Sequence, residues 1–406
     1  MAGDDRRARL RGLVIFLFFA WGFTTVLVDI LVPKFKSLFS LNYAEVMLTQ
    51  FSFFLGYFLF SLPAAWLLAR LGYIRSAVLG LSVMAGGCLL FVPAAALALY
   101  PAFLVALFVM AAGITLLQVT ANPLITLLGT EETSASRLTL AQAFNSLGTA
   151  MGPWFGAATI LHGQAAQGSA ASLQIPFVFV AIILILVASV FWLARQGPAP
   201  AAVPQPATAS GMKRLVRQSR LMFGVGAIFT YVGAEVTIGA TLASYLMQPS
   251  VLGLPAQRAG QMVSLYWGAA MLGRFAGAYV LKRVNPGLVL ACCALGAIAL
   301  VLSSAVSPGL VAAMTLLTVG LCNSIMFPTI FALASEGLGV ETPNGSGLLC
   351  MAIVGGAIVP LLFGLVADRA GIGVGLAVPA LCYLWVLFFG IFAARQRCAP
   401  ASHEAQ

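Results

Sequence analysis

The residues Pro123-Leu-Ile125-Thr-Leu-Leu128-Gly-Thr-Glu131 recur as Pro328-Thr-Ile330-Phe-Ala-Leu333-Ala-Ser-Glu336, 205 positions later. Gly148 and Pro153, in the apolar run after the first copy, likewise recur as Gly355 and Pro360, 207 positions on. Proline and glycine are common in membrane helices, so neither match means much alone. One order, one spacing and nearly one offset across two successive runs are what a duplicated chain produces.

The runs around these repeats are membrane-like. Hydrophobic residues make up 61% of the 406-residue chain and charged residues 8%, against roughly 25% charged in a soluble domain; the mean hydropathy is +1.02. About 20 apolar residues cross a hydrocarbon core about 30 Å thick. Runs of that kind fall at 10–34, 44–70, 75–98, 100–128, 136–162 and 172–195, then at 218–247, 257–282, 286–307, 310–335, 342–367 and 372–395. Lipid offers backbone groups no other partner, so each is expected to be a helix. The fold class is therefore an all-α membrane protein of twelve transmembrane helices in two six-helix bundles, residues 1–196 and 218–406. Between them, 197–217 opens Gly-Pro-Ala-Pro-Ala-Ala-Val-Pro-Gln-Pro and reads as a flexible or polyproline-like cytoplasmic linker. The basic then apolar start resembles a signal peptide, but the run is too long and contains Asp29, which marks an uncleaved first span.

An even number of spans puts both termini on one side. That side carries Arg6, Arg7, Arg9, Arg11, Arg70, Arg75, Arg137, Arg195, Lys213, Arg214, Arg217, Arg220, Lys282, Arg283, Arg395 and Arg397, whereas the other has Lys34, Lys36, Arg258 and Arg369. The positive-inside rule makes the termini cytoplasmic, in a bacterial inner membrane. The formal charge of +10 then reflects topology, and no nucleic-acid partner is expected. The scattered cysteines read as packing residues with no metal-ligand spacing. His162 and His403 are the only histidines, and no phosphate-binding loop is present. Catalysis finds no foothold, and no cofactor or metal is expected.

Polar groups inside the spans are the candidate functional residues, because a charge at membrane depth costs about 2.5 kcal/mol or more. Asp29 in the first span and Glu235 in the equivalent seventh are the deep carboxylates. Asp29, with Thr25 one turn before it and no basic neighbour in sequence, suits proton exchange as access to water alternates. Glu235 can do the same or can pair with Arg274, the lone basic residue deep within a span rather than at its ends. Carboxamides form a second set: Gln50, Gln118, Asn122, Gln142, Asn145 and Asn323. Gln118 and Asn122 lie four apart and Gln142 and Asn145 three apart, so each pair shares a helix face. Amides both donate and accept, which suits hydroxyl groups, and Tyr266, Trp267 and Phe327 can present rings to a sugar face. The competing reading is plain interhelical hydrogen bonding.

Several segments resemble the fucose permease and glucose/galactose branch of the major facilitator superfamily. They are Asp29-Ile-Leu-Val-Pro33, Ala121-Asn122-Pro123, Leu140-Ala-Gln142-Ala-Phe-Asn145-Ser146, Tyr231-Val-Gly-Ala-Glu235-Val, Asn323-Ser-Ile-Met-Phe-Pro328-Thr-Ile, and Gly345-Ser-Gly347 with Met351-Ala-Ile-Val-Gly-Gly356. The resemblance implies two parallel six-span repeats with a midplane site between the halves. It also implies cation-coupled symport of a hexose or related sugar. In fucose permeases the Asp matched by Asp29 and a Glu in the fourth span serve proton coupling and sugar recognition. Gln118 stands where that Glu does, which points to glucose, galactose or an amino sugar such as N-acetylglucosamine. The superfamily's loop motif is degraded to Ala69-Arg70-Leu-Gly72, without its Asp. The expected transporter is a lipid-embedded monomer with H+ as coupling ion. Na+ coupling, drug or metabolite efflux, and a non-transporting sugar sensor are the alternatives.

Overall fold

The computed structural model describes residues 10–25, 35, 38–40, 43–160, 174–194 and 209–398, and all regular structure among them is helical. Every predicted run meets one helix or two consecutive helices. The first half has Leu10–Thr25, Tyr43–Leu71, Tyr73–Leu89 with Phe91–Leu97, Tyr100–Leu127, Ser134–Ile160 and Gln174–Ala194. The second has Ser219–Leu246, Ala256–Val280, Pro286–Val306, Gly309–Asn323 with Met326–Ser335, Thr342–Met351 with Gly355–Ala370, and Ala377–Cys398. Among the described residues nine helices are long and apolar enough to cross a membrane. The first, fifth and eighth spans fall below that measure. The first is described over a short stretch, and the other two carry polar groups such as Arg137, Gln142, Asn145, Gln261 and Arg274.

The predicted linker is not extended throughout, because Ala209–Val216 is helical. Leu215 there is fully buried while Lys213 and Arg214 are exposed. An amphipathic turn can dock where a proline-rich one cannot.

Helices in lipid gain little from hiding apolar surface, so close approach and interhelical hydrogen bonds decide their packing. The duplicated glycines show this. A Cβ on Gly148 would lie 2.3 Å from the Phe19 carbonyl oxygen, and one on Gly355 would lie 2.0 Å from that of Phe229. The fifth span thus rests on the backbone of the first, and the eleventh on the backbone of the seventh.

The described residues form two compact units. One draws on 1–129, 144–212 and 337–351, and the other on 130–143, 213–336 and 352–406. In the first unit Phe91 stacks on Phe177 with ring centroids 3.8 Å apart, and Phe103 packs against Phe35 at 4.9 Å. Arg11 donates to the Leu128 carbonyl across 3.0 Å. In the second unit Phe223 sits among Trp385, Phe389 and Phe392. Arg220, which opens the seventh span as Arg11 opens the first, pairs with Glu336.

Candidate functional site

In the first unit the site is built on Tyr100–Leu127. The i, i+4 spacing stacks Gln118 and Asn122 on one face, where they are 8% and 0% exposed. Gln118 Nε2 donates to the Tyr57 hydroxyl of the second span across 2.8 Å. Gln118 Oε1 and both side-chain polar atoms of Asn122 have no hydrogen-bond partner among the described residues. Buried polar atoms are ordinarily paired, and leaving one unpaired costs roughly 1–3 kcal/mol. Among the described residues Asn122 thus holds no neighbour by a side-chain hydrogen bond, and its amide keeps donors and acceptors to offer a solute.

Asn145 is employed differently. It is half-buried and its Nδ2 donates to the Phe18 carbonyl of the first span across 2.9 Å, fastening two helices together. Gln142 is buried in the part of the fifth span that belongs to the second unit. Gln50 lies on Tyr43–Leu71; its side chain, like all of Asp29, lies outside the described residues.

In the second unit five predicted residues come together: Glu235, Arg274, Asn323, Tyr266 and Trp267. Arg274 Nη2 stands 3.9 Å from Glu235 Oε1, with both side chains 14% exposed, and that oxygen accepts no hydrogen bond. Arg274 Nε donates to the Ser324 carbonyl across 3.2 Å. The Tyr231 hydroxyl donates to the Asn323 carbonyl across 3.1 Å, and Asn323 Nδ2 donates to the Tyr266 hydroxyl across 2.7 Å. Asn323 Oδ1 and the Tyr383 hydroxyl are buried, with no partner at hydrogen-bond geometry among the described residues. Trp267, 45% exposed, meets Tyr266 edge-on at 5.1 Å. Removing one partner of a buried pair such as Glu235–Arg274 is more costly than having no pair at all.

The structure thus groups Gln118 with Asn122, and separately Glu235 with Arg274 and Asn323. The residues that hold them in place, Tyr57 and Tyr231, and the polar role of Tyr266, were not among the candidates. Their only sequence signal is a hydroxyl within an apolar run. Among the described residues no group of His, Cys, Asp and Glu could hold a metal ion.

Comparison with known proteins agrees with this architecture. The family model of the Major Facilitator Superfamily matches residues 13–349. The chain is 46% identical over 383 residues to a glucose/galactose transporter of Brucella abortus, covering 93% of this chain and 92% of that one. It is 35% identical over 406 residues to the L-fucose-proton symporter of Escherichia coli, covering 94% and 92%. The crystal structure of the transporter FucP in its outward conformation superposes with a TM-score of 0.88 at 34% identity, covering 96% of this chain and 99% of that one.

Proposed function

The chain belongs to the Major Facilitator Superfamily, and from that membership we propose that it carries a hexose or amino sugar across a bacterial inner membrane together with a cation. The coupling ion is a proton, with sodium as the alternative that ion dependence separates. The observation that carries the reading is Asn122, a fully buried carboxamide whose polar atoms have no hydrogen-bond partner among the described residues. A buried amide that offers both donors and acceptors is suited to hydroxyls. Gln118, oriented by Tyr57 beside it, adds an acceptor. With Gln118 at the position of the fucose permeases' Glu, and with the glucose/galactose transporter similarity, the favoured sugars are glucose, galactose and N-acetylglucosamine rather than fucose.

In this reading Asp29 binds the coupling ion, Glu235 contributes to coupling beside Arg274, and Gln50, Gln118, Asn122, Gln142, Asn145, Trp267 and Asn323 serve the sugar. The protein works as a monomer with cytoplasmic termini and presents its site to the two sides in turn. The test is Asp29→Asn in proteoliposomes. The expected variant still exchanges labelled for unlabelled sugar across the membrane and no longer concentrates it under an ion gradient. Undiminished accumulation would remove Asp29 from the coupling step.

A further inference from the structure

The prolines of the duplicated stretch each free one backbone carbonyl. Proline has no N–H, so Pro123 leaves the Val119 carbonyl and Pro328 leaves the Ser324 carbonyl without a helical donor. Val119 and Ser324 are themselves 205 positions apart, so the same vacant acceptor was duplicated with the rest. In lipid such a group must be satisfied by a neighbour.

The two halves solve this differently. The Val119 carbonyl accepts from Ser346 Oγ across 2.9 Å, within the first unit, and the fourth span stays a continuous helix through Pro123. The Ser324 carbonyl accepts from Arg274 Nε, and here the tenth span is broken between Asn323 and Met326. The residue before the break is Asn323, whose own carbonyl is taken by Tyr231 and whose amide is held by Tyr266. A hydroxyl cap is indifferent to charge nearby. A guanidinium cap whose other end stands 3.9 Å from a carboxylate is not.

We propose that Arg274 is a positioning residue that conveys the charge state of Glu235 to the proline break of the tenth span, and so sets how Asn323 is held. This rests on the reading of Glu235 as a coupling group. With Glu235 ionised, Arg274 is drawn both to the carboxylate and to the Ser324 carbonyl. With Glu235 neutral the first attraction is gone, the guanidinium settles on the carbonyl, and the break tightens. The other titratable groups close enough to act on Glu235 are Tyr231 on its own helix, Tyr266 beside Arg274 on the eighth span, and Tyr383 on the twelfth. All are phenols, so among the described residues Arg274 is the only cation close to Glu235.

Hydrogen–deuterium exchange on the purified full-length protein without sugar tests this. Glu235→Gln is expected to slow exchange of the amides at 323–329 about threefold, the factor corresponding to one membrane hydrogen bond of average strength. Exchange around Val119 should not change. Pro328→Ala restores a helical donor to the Ser324 carbonyl, so in that background Glu235→Gln should have no effect at 323–329. Unchanged or faster exchange in Glu235→Gln, or an equal effect with and without Pro328, would overturn the proposal. Because no substrate is present, that failure is distinct from a failure of the transport reading, which shows in uptake. Both variants keep Arg274, so neither leaves Glu235 as a lone buried charge.

Discussion

At the scale of single residues, Asn122 and Asn145 look alike in sequence and differ in what they hold. Asn145 bonds the Phe18 carbonyl, so Asn145→Ala is expected to cost about 0.6–1.7 kcal/mol and to lower the melting temperature in detergent. Asn122 has no hydrogen bond to lose among the described residues, so Asn122→Ala should leave the melting temperature level or raised while sugar transport is lost. If Asn122→Ala melts lower and still transports, the residue is structural. Tyr57→Phe strands Gln118 Nε2, a buried donor, and should cost about 1–3 kcal/mol and raise the KM for sugar. Thermal melts and uptake kinetics check both effects. The carboxamides were legible because a polar side chain stands out in an apolar run and the i, i+4 spacing places two on one face. The tyrosines were not, since a phenol contributes to a run much as phenylalanine does. Only the fold shows that the hydroxyls of Tyr57 and Tyr231 end on Gln118 and on the Asn323 carbonyl.

At the scale of helices, Gly355 shows where the sequence carries more than hydropathy. A side chain there would collide with the Phe229 backbone, whereas Gly364 on the same helix has nothing within 4 Å of its would-be Cβ. Gly355→Val should abolish monodisperse protein in size-exclusion chromatography and Gly364→Val should not, although the two substitutions are chemically the same. Equal behaviour would mean that the eleventh and seventh spans do not meet at this glycine. The runs were legible because a membrane helix is apolar over most of its length, and nine of the described helices meet that measure. The break after Asn323 was not, for the tenth run reads without interruption from 310 to 335. Pro328 marks a missing donor, but Pro123 marks the same and its helix continues. What separates the two cases is the capping group, which comes from a distant part of the chain.

At the scale of the whole molecule, the duplication was legible from two short stretches, and the described helices repeat it down to Gly148 on Phe19 and Gly355 on Phe229. The composition of the compact units was not. Residues 130–143 belong with the second half and 337–351 with the first, because such contacts depend on the arrangement of the complete chain and leave no local pattern. The basic residues alone predict cytoplasmic termini; a fluorescent reporter fused after Gln406 should light up in the cytoplasm, and a periplasmic phosphatase fused there should be inactive. The central claim, sugar moved uphill by an ion gradient, is met most directly by uptake of labelled glucose, galactose, fucose and N-acetylglucosamine into proteoliposomes under an imposed proton or sodium gradient. Accumulation of glucose, galactose or N-acetylglucosamine above its outside concentration, driven by the proton gradient and abolished when the gradient is collapsed, is the predicted result; accumulation of none of the four under either gradient would contradict it.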